Sequence, residues 1–362
     1  MALGMNGAIL SKILIINAEG NSATAYYRAY TAKHCFTALG FTVELHGLEN
    51  ITHLDIQNVS ACLFVRTPLF SSVKTFILKL KSLGVIVIAD FDDLIFRPDL
   101  LHFIDGIKYL CPEEYQEFTE RTFLFQEMAC IADYITCTTI PLANELSKLN
   151  SNVKVIKNYP LEITQSVSFK FASTKRNYEK FIIGYYSGTL THQADFRQCS
   201  VALSDLLSHS DNVELRLVGK FEIDEFHEFK GLEQSIVKIP LLSYEEMLFD
   251  LATCHVNLAP LEVNNLFCEC KSELKYFDAA LVGVPTIASP TFPYKNAIKH
   301  GVNGYLASTP DEWLNCLYLL KRNRDFVEQV GLNARRYALS FFGRAAQLND
   351  YRSLAVMFMH RS

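Results

Sequence analysis

Long apolar runs, basic blocks and paired cysteines are all missing from this chain, and each absence removes a class of protein. No stretch approaches the about 18 consecutive apolar residues of a membrane-spanning helix. No cluster of Lys or Arg stands out and the formal net charge is −5, so the electropositive footprint of a nucleic-acid-binding protein is lacking and no nucleic acid partner is expected. Ten cysteines are scattered without the C-x-x-C spacing of a zinc site or the density of a disulfide-built secreted fold. They read as reduced thiols. The first dozen residues have no basic start followed by an apolar run, and together these features predict a cytoplasmic protein.

What is present is the balance of an ordered globular chain, 49% apolar and 20% charged, at a length of 362 residues that exceeds one hydrophobic core. Two domains are therefore predicted, with the site in a cleft between them. Lys12-Ile13-Leu14-Ile15-Ile16-Asn17 is a short apolar run, followed by the turn residues Gly20-Asn21-Ser22 and then by the helical spacing of Ala25 to Leu39. Apolar runs recur at Phe41–Leu45, Ala61–Val65, Val85–Ala89, Tyr134–Cys137 and Val153–Ile156. The periodicity lapses into polar residues between Asn158 and Lys180 and resumes at Phe181–Tyr186, Val213–Val218, Ile236–Ile239, His255–Leu258 and Thr286–Ala288. Continuously apolar strands alternating with helices indicate parallel sheets covered on both faces. The expected fold is α/β, two Rossmann-like doubly wound domains facing a cleft. The expected boundaries are 1–160 and 181–343 with 161–180 as linker, and a last helix, 344–362, packs back on the first domain.

The segment from Ala259 to Pro285 carries the clearest chemistry. Ser272 is the expected N-cap of a helix that runs to about Val282 and is stopped by Gly283 and Pro285. Lys275 and Asp278 share one face of it, with Lys271 just ahead, while Leu274, Phe277 and Leu281 form the buried face. A helix start with two lysines favours an anion such as a diphosphate, and Asp278 can accept from ribose hydroxyls. The alternative is a solvated helix face with a Lys–Asp pair. At the end of the Phe181 strand, Ser187-Gly188-Thr189 lets the backbone approach phosphates and adds two hydroxyls, although Ser-Gly-Thr is also an ordinary turn. In the first domain Gly20, Ser22, Arg28, Arg66, Asp92 and Asp93 fall at or beyond the carboxyl ends of strands, where open α/β sheets place ligands, and are expected on the acceptor side. Asp90-x-Asp92 admits a rival reading as a metal-binding D-x-D.

The Ala259–Pro285 segment, followed by Ile287-Ala288-Ser289-Pro290, Tyr294, Ile298 and Gly301-Val302-Asn303-Gly304-Tyr305-Leu306, resembles the donor-binding region of family 4-type retaining glycosyltransferases with the GT-B fold. The resemblance implies a nucleotide-sugar donor in the second domain, with Lys271 and Ser272 near the phosphates, Asp278 near the ribose, and the Ser187 loop facing the diphosphate. On the same grounds His192 is a candidate for charge stabilisation, and His192, Lys271 and Asp92 form the expected catalytic set. The family often carries two glutamates separated by seven residues. Here Cys270 stands at the first position and Asp278 at the second, and Asn264, Phe267, Lys271 and Ser272 resemble an Asn-x-x-Phe and Lys-Ser variant. Glu269 and Glu273 are alternative acids.

The implied activity is transfer of a hexose from a nucleoside-diphosphate sugar to a glycan or lipid-linked acceptor, with retention, without metal and without any other cofactor. By analogy the acceptor is a growing surface polysaccharide or lipid-linked oligosaccharide, with peripheral contact at the inner face of a membrane. A nucleotide-sugar epimerase of the same fold and a catalytically silent nucleotide-sugar-binding protein are the alternatives.

Overall fold

The computed structural model describes residues 12–174, 176, 179–188 and 193–359. The chain divides into two compact units, one of Met1–Pro98, Gln116–Leu161 and Arg344–Ser362 and the other of Asp99–Tyr115 and Glu162–Gly343.

The first unit runs through β1 (Lys12–Asn17), a π-helical turn (Ala25–Tyr30) continuing into α1 (Thr31–Ala38), β2 (Thr42–His46), β3 (Val59–Val65), α2 (Ser71–Ser82), β4 (Ile86–Phe91), α3 (Pro112–Ile131) from Gln116 onward, β5 (Tyr134–Cys137), α4 (Ile140–Leu146) and β6 (Val153–Val155). All pairings are parallel, in the order β2-β1-β3-β4-β5-β6. Every residue of β4 is buried, which is why the strand reads as an unbroken apolar run up to Asp90. The covering helices are amphipathic: α2 buries Val73, Phe76, Ile77 and Leu80, the i, i+3, i+4, i+7 spacing of one face. The strand order reverses between β1 and β3, so their carboxyl ends border the sheet's switch point.

The second unit contains α5 (Glu162–Phe171), β7 (Phe181–Ser187), α6 (Gln193–Ser208), β8 (Val213–Gly219), β9 (Ile236–Ile239), α7 (Tyr244–Thr253), β10 (Val256–Ala259), α8 (Leu266–Cys270), α9 (Leu274–Leu281), β11 (Thr286–Ala288), α10 (Phe292–Ala297), β12 (Tyr305–Leu306), α11 (Pro310–Arg322) and α12 (Arg324–Phe341). Its parallel sheet has the order β12-β11-β10-β7-β8-β9, with the switch point between β7 and β10. One face packs against α6, α11 and α12 through Phe196, Leu203, Trp313, Leu317 and Val330. The other packs against α5, α7 and α9 through Phe171, Leu248, Leu251 and Ala279.

The final helix, α13 (Arg344–Met359), belongs to the first unit. Tyr351, Leu354 and Ala355 join the core cluster of Cys35 and Phe36, and Tyr159 donates to Asp350 at 2.5 Å.

Three features differ from the sequence expectation. Much of the expected linker is helix α5, because its polar residues Thr164 and Ser168 are buried while Val167 and Phe171 pack on the second core. Residues 99–115, expected in the first domain, belong to the second unit. Asp105 Oδ2 accepts from the Ala194 N–H at 3.3 Å, the Phe103 carbonyl accepts from Asn265 at 2.9 Å, and the Tyr109 hydroxyl donates to Glu225 at 3.1 Å. The two-residue β12 is too short to show in the pattern. The ten cysteines are free and eight are buried. No helix of the described residues is long and apolar enough to cross a membrane.

Candidate functional site

Each unit gathers polar residues at the carboxyl ends of its strands. In the second unit they collect after β7 and β10. Ser187, the last residue of β7, is buried, and its carbonyl accepts from the Lys220 N–H at 2.9 Å. Gly219 closes this corner at φ +97°, where a Cβ would meet the Ser187 carbonyl oxygen at 2.1 Å. Gly188 is exposed. Thr189 and His192 lie outside the described residues.

Beyond β10 the chain makes α8, a short helix that sequence periodicity did not separate from the next. Its N-cap is Asn265, which accepts from the Phe267 and Cys268 N–H groups at 2.9 and 3.3 Å and donates to Glu262 at 2.9 Å. Asn264, expected to meet the donor, is exposed and left-handed at φ +66°, a conformation asparagine tolerates.

Lys271 caps the end of α8, with its ammonium 4.6 Å from the Phe267 ring centroid. Only Ser272 and Glu273 then remain before α9, so the N-cap is Glu273, one residue later than Ser272, and it makes no side-chain capping bond. The Tyr276 N–H of the first turn donates to the Glu273 carbonyl at 3.0 Å.

On α9 the Lys–Asp face is turned inward and is not a solvated surface. Asp278 is 7% exposed and accepts from the Tyr244 hydroxyl at 2.6 Å. Lys275 is half-buried. Its ammonium donates to the Tyr186 carbonyl and lies 5.0 Å from the Tyr185 ring centroid. Burial pulls its pKa down to about 8; Asp195 and Asp278 act against this and Lys271 acts with it. Tyr244 and Asp195 were not legible as site residues, because they reach α9 and α8 from elements distant in sequence. The only local signal was the Ser243–Glu246 capping box that starts α7 at Tyr244.

Of the two alternative acids, Glu269 is engaged at a neighbouring helix, while Glu273 acts with Asp195 and Asp278 on the buried Tyr294 hydroxyl. Cys270 is wholly buried, and Glu269 Oε2 accepts from the Phe292 N–H at 2.7 Å at the start of α10. Among the described residues Asp195, Glu262 and Cys268 bring potential ligand atoms within 4.8 Å of one another. Asp195 Oδ1 accepts from the Glu262 N–H at 3.1 Å and from the Cys268 thiol at 3.4 Å. Burial and Asp195 push that thiol's pKa up, and the protonated thiol is the donor to Asp195.

In the first unit Gly20 turns the loop after β1 at φ +57°, with its carbonyl accepting from Asn17 at 2.7 Å, and the Ser22 hydroxyl accepts from the Ala25 N–H at 3.2 Å at the head of the π-helical turn. Arg66 follows β3 at φ +43°, a rare conformation for a side-chain-bearing residue. It bonds Asp92 at 3.2 Å and Thr24 at 3.2 Å and pairs with Glu19 at 3.6 Å, while Thr24 donates to Asp92 at 2.8 Å. Burial opposes the Arg66 charge, but Asp92, Asp93 and Glu19 hold its pKa above the ordinary value. Glu19, the one acid of the Gly20 loop, was overlooked in sequence.

Arg28 is not an accessible acceptor-side group as expected. It is 1% exposed, grips Asp90 through Nε at 2.9 Å and Nη2 at 2.6 Å, and donates to the Ile156 and Lys157 carbonyls at 2.6 and 3.1 Å. Thr136 donates to the same carboxylate at 2.6 Å. The two acids of Asp90-x-Asp92 are thus engaged by different arginines, Arg28 and Arg66.

No family model matches the chain, and no curated protein matches it in sequence. Solved structures do match in fold. HepE of Anabaena in complex with UDP superposes with a TM-score of 0.63 at 13% identity, covering 96% of this chain and 100% of that one. Sucrose-phosphate synthase from Thermosynechococcus elongatus gives 0.64 at 12% identity, over 97% of this chain and 100% of its own. A glycosyltransferase from Rickettsia africae gives 0.64 at 12% identity, over 98% and 100%. At such identities the likeness is one of fold: two parallel six-stranded sheets flanked by helices, the GT-B architecture.

Proposed function

We propose that this protein is a glycosyltransferase of the family 4 type that moves a hexose from a nucleoside-diphosphate sugar to a glycan or lipid-linked acceptor with retention. The observation that carries the reading is the start of α9, where Lys271, Lys275 and Asp278 collect beyond the end of β10, beside the switch point of the second sheet. The whole-chain likeness to GT-B structures supports it, and the UDP and UDP-glucose complexes of HepE make a uridine donor the first to test.

Departure of the nucleoside diphosphate concentrates negative charge on its terminal phosphate while the anomeric carbon gains oxocarbenium character. Lys271, Lys275 and the backbone N–H groups opening α9 would offset that charge. Asp278, oriented by Tyr244, would accept from the ribose. In a front-face reaction the leaving phosphate takes the acceptor's proton, so no protein base is required there. This charge supply also supports a reaction without a divalent ion, since Asp90 and Asp92 are already paired with arginines. On the acceptor side, Arg66 and Asp92 with Asp93 form a polar surface beside the Gly20 loop.

Burial of Cys270 favours a second reading, a protein that binds the nucleotide sugar without turnover, because no carboxylate stands at that position. Calorimetric titration of UDP and UDP-sugars, with product detection in EDTA against oligosaccharide acceptors, separates the readings. Binding that weakens at least tenfold in Asp278→Asn, with transfer surviving chelation, is expected. Binding without turnover of any donor selects the second reading, and no nucleotide binding rejects both.

A further inference from the structure

The switch point of the second sheet carries a polar residue inside an otherwise apolar strand. All four residues of β10, Val256-Asn257-Leu258-Ala259, are buried, and Asn257 is 2% exposed. A buried amide is tolerated where its polar atoms are bonded. Asn257 Nδ2 donates to the Lys275 carbonyl of α9 at 3.0 Å and to the Thr286 hydroxyl of β11 at 3.1 Å. A backbone carbonyl can only accept, so the contact with Lys275 fixes which end of the amide is the nitrogen.

Asn257 is also the last residue of β10 that pairs with β7, opposite Gly184. Beyond that pair β7 continues against β8 through Tyr185, Tyr186 and Ser187, while β10 continues against β11 through Leu258 and Ala259. The two strands part there, and Lys275 is bonded to both: its carbonyl accepts from Asn257 on β10, and its ammonium donates to the Tyr186 carbonyl on β7. A lysine stem is flexible, so where its ammonium sits depends on how firmly its backbone is held. We infer that Asn257 is a positioning residue for the donor diphosphate, which by anchoring α9 at Lys275 sets where that ammonium meets the phosphates. This role rests on the proposed donor site at α9. If the amide only tied β10, α9 and β11 together, its loss would lower stability and leave binding unchanged.

The test is calorimetric titration of UDP into the full-length wild type, Asn257→Leu, Lys275→Met, the double variant and Thr286→Val, with urea unfolding alongside. Asn257→Leu, which nearly keeps the volume, is expected to weaken UDP binding about fivefold or more, and Lys275→Met should then cost under about threefold in that background against roughly tenfold or more in the wild type. Wild-type affinity should fall as pH rises through about 8, where the ammonium loses its proton. With α9 released Lys275 is better hydrated, and the fall should move to higher pH in Asn257→Leu. Thr286→Val removes the other partner of Asn257 and should lower stability with UDP affinity within about twofold. If Asn257→Leu does not fold, Asn257→Ser, whose side chain is one bond shorter, is expected to behave in the same way. Unchanged UDP affinity in the Asn257 variant, a Lys275→Met loss as large there as in the wild type, or an equal loss in Thr286→Val overturns the positioning role alone. A wild type with no affinity for UDP rejects the donor site and this role with it.

Discussion

Both switch points border the first strand of their sheet, two strands from one edge in the first sheet and at the middle of the second, and they have opposite electrostatic design. In the first unit the cations are matched inside the protein: Arg28 by Asp90, and Arg66 by Asp92 and Glu19. In the second, the Lys275 ammonium rests on a backbone carbonyl and an aromatic ring and carries a depressed pKa. A closed network holds its shape without a ligand and presents fixed donors and acceptors. A cation that burial depresses more than its nearby carboxylates, Asp195 and Asp278, restore gains most when an anion arrives, which is the property a diphosphate site needs.

The largest effect that would break this contrast is in stability. Arg28→Ala should destabilise the protein by about 3–5 kcal/mol, because it strands the Asp90 carboxylate in the core. Urea unfolding measures it, and a loss below about 1 kcal/mol would show that the pair is not the closed element described. The next effect lies in binding. Lys275→Met should weaken nucleoside diphosphate binding by about 1.5–3 kcal/mol, roughly 10- to 100-fold. The sign of its pH dependence follows from the lowered pKa: as pH rises through about 8 the wild-type ammonium loses its proton and affinity falls. The variant should lack this limb, and calorimetry between pH 6.5 and pH 9.5, or roughly that span, tests both. The smallest effect sharpens the division between the units. Asp92→Asn should cost under about 1 kcal/mol of stability, since Glu19 still faces Arg66, and should leave nucleotide affinity within about twofold while transfer drops. Loss of nucleotide binding in this variant would move the donor to the first unit.

The parallel-sheet architecture was legible because the central strands are buried on both faces, so stretches such as Ile13–Ile16 and Ile86–Ala89 are apolar throughout. The GVNG motif was legible too, but as scaffold. Asn303 accepts from the Lys299 N–H at 2.6 Å and donates to the Ala297 carbonyl at 3.0 Å, and a Cβ on Gly304 would press on Ile298 and the Thr286 carbonyl at 3.1 Å. Part of what resembled a donor-site signature therefore shapes the turn into β12.

Local pattern alone was enough for every strand but β12, for most helices, and for the choice of Lys271, Lys275 and Asp278 as chemically loaded, because spacing and charge are properties of a short window. It could not say which charges are already neutralised, because Arg28 meets Asp90 across 62 residues and Tyr244 meets Asp278 across 34. Nor could it assign 99–115 to the second unit or read α5 through its polar residues, because both depend on partners supplied by another part of the chain. Whether a polar side chain is a binding group or a structural one is settled by what lies opposite it, and only the folded chain brings that neighbour into place.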